Sequence, residues 1–224
     1  MAIPEERIRI ETPAGETSGA FATPSSPAAV LVVAHGAGGT MDSPFLSGFS
    51  RSVNEEGIAT LRFNFVYTER GRKAPDAESK LRAAWIAALG EAGARAPGVA
   101  VFAGGKSLGG RIASMGVADG ELAAAGLVFL GYPLHPPGKP DRVRDEHLYR
   151  IEVPMLFLQG TADPFARSEV LEPVLRRLGR RAEYHPIEGG DHSFRVRGAK
   201  RDDREIGVSL GLIASAFVHN AAGV

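Results

Sequence analysis

Short apolar runs recur along this chain, each separated from the next by enough residues to form a helix. They are AAVLVVAH (28–35), IATLRFNF (58–65), GVAVFAGG (98–105), AGLVFLG (125–131) and VPMLFLQG (153–160). Continuous apolar runs of this length, bounded by glycine and turn residues, fit strands buried on both faces. The intervening segments carry a helical pattern. Residues 43–57 read as a helix stopped by Gly57. From Asp76, which suits an N-cap, Ala77, Leu81, Ala84, Trp85, Ala88, Leu89 and Ala92 recur at helical spacing, with Trp85 on the core side. Further helices are expected from about Leu108, from Glu169 to Leu178 and from Asp202 to Asn220, with AEYHPIEG (182–189) as one more strand. Ahead of these, RIRIET and GAFAT alternate polar and apolar residues around the turn-forming PAGETS, as an antiparallel hairpin does.

Strands alternating with helices imply βαβ units, hence an α/β fold with a mostly parallel sheet and helices on both faces. A chain of 224 residues suits one domain, 1–224. Its long irregular segment, residues 132–150, is rich in proline and charge. A loop of that length is usually functional or mobile, and this one is too short for a large cap domain.

Composition removes several classes of function. The absence of cysteine excludes disulfides, thiolate metal sites and a cysteine nucleophile. With 26 basic and 26 acidic residues the formal charge is zero, so no nucleic-acid partner is expected. The N-terminal MAIPEERIRIETP has charges where a signal peptide has an apolar core, and no run approaches the length of a membrane span. A cytoplasmic protein without a membrane partner is the expectation.

The motif GGKS (104–107) admits two chemistries. A phosphate-binding loop needs a glycine five residues before Gly105, where Ala100 stands inside an apolar strand. GKSLG (105–109), in contrast, fits G-x-S-x-G, the sharp strand-to-helix turn that presents a serine as nucleophile. Ser107 then needs a base, and the base needs an orienting acid, in the chain order serine, acid, histidine. VPMLFLQG ends in TADPF, placing Asp163 at a strand's carboxyl end. AEYHPIEG ends in GGDHSF, placing His192 at the next. Such ends gather on one edge of a parallel sheet. His35, His135, His147, His185 and His219 compete as bases, and Asp191, Asp119 and Glu188 as acids; His35 precedes the serine, His185 lies within its strand, and Asp191, adjacent to His192, points its side chain away from it. Oxyanion donors are expected from the Leu108 N–H and from HGAGG (35–39), at Ala37 with Gly38 as the alternative. His35 would orient that loop.

On HGAGG, RFNF (62–65), GGKSLGGR (104–111), GYPLHPPGKP (131–140), QGTADPF (159–165) and GGDHSF (189–194), the chain resembles the α/β-hydrolase superfamily. It is most similar to the dienelactone-hydrolase-like branch, and within it to small bacterial proteins related to a eukaryotic chromatin-complex (NSL) subunit. The resemblance implies about eight strands, mostly parallel with an antiparallel N-terminal pair, and supports Ser107, Asp163 and His192 as a triad. Dienelactone hydrolase itself uses a cysteine nucleophile, so its lactone chemistry does not transfer to this cysteine-free chain.

The function expected is a serine hydrolase acting on a carboxylic ester or thioester, without cofactor or metal. A non-catalytic module of the same fold, binding a protein or small ligand, is the competing reading. Phe65, Tyr67, Lys106 and Tyr132 are candidates for substrate contact. Arg70, Arg72, Lys73, Lys106, Lys139, Arg142 and Arg144 form a local basic excess that would favour an anionic substrate. Oligomeric state is not legible in the sequence.

Overall fold

The computed structural model describes residues 3–223. Eight strands form one sheet: β1 (Glu5–Ile10), β2 (Thr17–Ala22), β3 (Ala29–Ala34), β4 (Ala59–Phe63), β5 (Ala100–Lys106), β6 (Leu127–Leu130), β7 (Met155–Gly160) and β8 (Ala182–Ile187). Their spatial order is β1-β2-β4-β3-β5-β6-β7-β8. The first two pairings, β1 with β2 and β2 with β4, are antiparallel. From β4 to β8 the sheet is parallel. Every residue of β3, β4, β6 and β7 is buried, as their apolar sequences require. β8 is an exposed edge, which accommodates Pro186 inside a strand.

Six α-helices flank the sheet: α1 (Pro44–Glu55), α2 (Val66–Glu69), α3 (Glu78–Arg95), α4 (Leu108–Ala118), α5 (Ser168–Leu178) and α6 (Asp203–Ala222). Phe45, Phe49 and Val53 of α1 share a core with Ile206, Leu210 and Phe217 of α6 on one face. Leu81 and Trp85 of α3, Ile112 of α4 and Leu171 of α5 fill the other. This is an α/β-hydrolase fold with no obvious cap over the carboxyl edge of the strands.

Several local expectations shift. Asp76 does not cap α3, whose N-cap is Ala77. Its carboxylate lies 2.6 Å from Arg72 Nη2, because an arginine four residues earlier reaches it first. α2 and the 3-10 turns Glu146–Arg150 and Gly179–Arg181 are too short to leave a periodic signal. The irregular segment therefore ends in an ordered turn. α6 also qualifies by length and composition as a membrane span, contrary to expectation. Its Ile206, Leu210, Ala214, Phe217 and Val218 are buried in the core shared with α1.

Candidate active site

The chain reverses its winding around β3, whose neighbours are β4 on one side and β5 on the other. At such a switch point two adjacent strands open a crevice at their carboxyl ends. β3 leads there into HGAGG and β5 into Ser107.

Ser107 sits at φ 49° and ψ −111° between β5 and α4. A non-glycine residue there is strained, and the turn holds because its neighbours give way. A Cβ on Gly105 would lie 2.7 Å from the Gly110 nitrogen and 2.8 Å from the Ala34 carbonyl oxygen. One on Gly109 would lie 2.8 Å from the His35 carbonyl oxygen. Glycine is the residue that fits both places. Trp85 adds a clamp from α3, its indole N–H donating to the Gly109 carbonyl at 3.1 Å.

Ser107 Oγ is 2.9 Å from His192 Nε2, and His192 Nδ1 is 2.7 Å from Asp163 Oδ2. Asp163 is fully buried, and the imidazole is 23% exposed, so the histidine alone of that pair meets solvent. The carboxylate only accepts, so Nδ1 carries a proton and Nε2 is left to accept from the serine. Asp163 also accepts from the Phe165 N–H at 2.8 Å and from Gln159 Nε2 at 2.5 Å. Gln159 is held in turn by the Tyr132 N–H, 2.7 Å from its Oε1. Gln159 escaped the sequence reading, although QGTAD places it four residues before the acid. Asp191 points elsewhere: its Oδ1 accepts from the Ser193 and Arg195 N–H groups and shapes the loop that carries His192. Asp119 is tied to Arg82 and Arg150, and Glu188 lies near Thr161.

The Leu108 and Ala37 amides find no hydrogen-bond acceptor among the described residues, and both residues line the cleft over Ser107. Gly38, at φ 71°, does not line it. His35 donates from Nδ1 to the Gly36 carbonyl at 2.7 Å, while Nε2 accepts from the Phe65 N–H at 3.1 Å. Both nitrogens are thereby committed to positioning the loop, and burial holds the imidazole below its ordinary pKa. RFNF supports the same loop from below. Arg62 donates to the Met41 carbonyl at 2.5 Å, and Asn64 Oδ1 accepts from the Met41 N–H at 2.8 Å.

The cleft over Ser107 encloses about 400 Å³. A smaller cavity of about 160 Å³, lined by Thr40, Phe45 and Leu46, lies across Ala37 and Lys106. Of the expected substrate contacts, only Lys106 reaches either space. Phe65 and Tyr67 are fully buried beneath the HGAGG loop, with ring centroids 5.1 and 5.8 Å from His35. Tyr132 is buried too, its hydroxyl 2.9 Å from His147 Nε2. These three aromatics are thus corrected from wall to support, because the sheet edge buries large rings before a shallow cleft can use them. His135 and Phe165 line the cleft instead. Lys106 donates from Nζ to the His192 carbonyl at 2.7 Å, with the rings of Phe45 and Phe194 5.4 and 5.3 Å away. Burial brings its pKa down to about 8, against the opposing pull of Asp163, Asp191 and Asp203.

A protein-family model described as an alpha/beta hydrolase domain matches residues 27–218. Among solved structures, an alpha-beta serine hydrolase homologue from Coxiella burnetii is 19% identical, with a TM-score of 0.75, over 95% of this chain and 97% of its own. A dienelactone hydrolase from Anabaena variabilis is 20% identical, with a TM-score of 0.77, over 98% and 99%. A serine hydrolase without a lid from Xanthomonas campestris is 18% identical, with a TM-score of 0.70, over 96% and 97%. At these identities the likeness is one of fold.

Proposed function

This chain belongs to the alpha/beta hydrolase domain family, and from that premise we propose that it is a serine hydrolase cleaving a carboxylic ester or thioester through an acyl-enzyme on Ser107. One observation carries the reading: serine, histidine and buried acid are joined in a continuous hydrogen-bonded line at 2.9 and 2.7 Å. A binding module has no need of that line.

In the first half-reaction Ser107 Oγ bonds to the acyl carbon as its proton passes to His192 Nε2. The carbonyl oxygen gains the electron pair, and the N–H groups of Leu108 and Ala37 stabilise it. Asp163 holds the imidazolium that results. Collapse breaks the bond to the leaving oxygen or sulfur, which takes the proton from Nε2. Water repeats the sequence with His192 as base, releasing the acid and restoring Ser107. The finer likeness of residues 131–140 to bacterial relatives of a chromatin-complex subunit adds no step to this scheme.

The test is incubation of the purified protein with a fluorophosphonate, followed by intact mass. The expected outcome is one stoichiometric adduct on the parent protein and none on Ser107→Ala. A folded parent protein that takes no adduct would put the binding-module reading first.

A further inference from the structure

The Ser107 cleft is lined by two arginines whose charges no acidic group among the described residues answers. Arg111 stands one helical turn beyond the nucleophile, its N–H bonded to the Ser107 carbonyl at 3.0 Å. Arg144, exposed and carried by the irregular segment, lines the same cleft. Among the described residues neither makes an ion pair, and neither guanidinium makes a hydrogen bond. Arg111 Nε is moreover buried without a partner. Three other arginines of low exposure find acids, although Arg62 Nε is also without a partner. Arg82 meets Glu78, Asp119 and Glu121, Arg95 meets Glu91 and Glu6, and Arg62 meets Glu5. No aspartate or glutamate lines the cleft. A buried guanidinium N–H without an acceptor, as at Arg111 Nε, is costly, and the exposed Arg144 adds a like charge beside it, so the site is arranged to be completed from outside.

We propose that the ester turned over at Ser107 carries an anionic group, a carboxylate or a phosphate, which Arg111 and Arg144 grip within the cleft. The planar guanidinium suits both, since each presents paired oxygens to its fork of donors. Loss of hydration, then repulsion from Arg111 and Arg142, holds the Arg144 pKa below its ordinary value, and a bound anion relieves that repulsion. Lys106 also lines the cleft, but one of its three donors ties it to the His192 carbonyl, on the side of the catalytic loop. The other basic residues stand apart: Arg70 donates to the Ala14 carbonyl, Arg72 pairs with Asp76, and Lys73, Lys139 and Arg142, exposed as Arg144 is, do not line the cleft.

This inference rests on the hydrolase reading, and its test separates the two. On the full chain, kcat/KM is measured for esters of one leaving group and equal acyl length ending in methyl, carboxylate or phosphonate. The expected result is a preference of roughly 10- to 100-fold for one of the charged chains. That preference shrinks as salt is added and collapses toward unity in Arg111→Gln and Arg144→Gln. Which charged chain wins separates carboxylate from phosphate. Calorimetric titration of Ser107→Ala with monomethyl glutarate and with methyl phosphate gives a readout that needs no turnover. An anion held there only while Arg111 and Arg144 are present supports the site even if Ser107 takes no fluorophosphonate and the hydrolase reading falls. A labelled Ser107 with equal turnover of charged and neutral esters, and no anion binding, overturns it.

Discussion

Ser107 pays for its exposure with a backbone conformation that a Cβ disfavours, φ 49° and ψ −111°. Ser107→Gly is therefore expected to raise stability by about 1 kcal/mol, or a melting temperature by roughly 2–4 °C, while abolishing fluorophosphonate labelling. Equal or lower melting temperature in a thermal scan would show that the turn is relaxed with serine in place. The residue types at this site were readable because G-x-S-x-G, the Asp163 loop and the His192 loop are local signals attached to strand ends. The groups that finish the site were not. Gln159 matters through a contact with Asp163 and the Tyr132 N–H, and Arg111 through the lack of one. Both are statements about space, and neither leaves a mark on spacing.

At the scale of elements, the irregular segment is pinned rather than free at its far end. His147, in the 3-10 turn Glu146–Arg150, lies 2.9 Å from Ser114 Oγ of α4 and 2.9 Å from the Tyr132 hydroxyl. Burial first, then the nearby Arg111 and Arg150, push its pKa down from 6.5 to about 4. As pH falls, the unfolded chain takes this proton before the folded one. Its contribution is therefore complete above about pH 6.5 and is lost as pH falls to about 4. The loss should be on the order of 3 kcal/mol. Urea midpoints of the parent protein are expected to fall across that window more steeply than those of His147→Gln, which keeps a polar group there without a titrating one. Parallel slopes would remove the histidine from the account. Length and proline content marked this segment as irregular, yet its anchor depends on α4 approaching from elsewhere in the chain.

For the molecule as a whole, the same residue type has opposite meanings on two helices. A Cβ on Gly207 of α6 would collide with the Phe45 carbonyl of α1, whereas one on Gly90 of α3 meets nothing within 4 Å. Gly207→Val is expected to cost about 3 kcal/mol by forcing α1 and α6 apart. Gly90→Ala should gain about 0.5–1 kcal/mol by restricting the unfolded chain. Denaturant midpoints of the two variants test both signs. The sequence by itself determined the strand and helix alternation, the antiparallel hairpin at the start, the elbow at Ser107 and the order serine, acid, histidine, because burial periodicity and turn chemistry are properties of neighbouring residues. Only the tertiary structure decided that Phe65, Tyr67 and Tyr132 support the site instead of lining it, that α1 and α6 meet at glycines, and that Arg111 and Arg144 face one cleft without a counter-charge. Those outcomes depend on which distant surfaces come into contact and what they exclude, and contact across a sheet has no period along the chain.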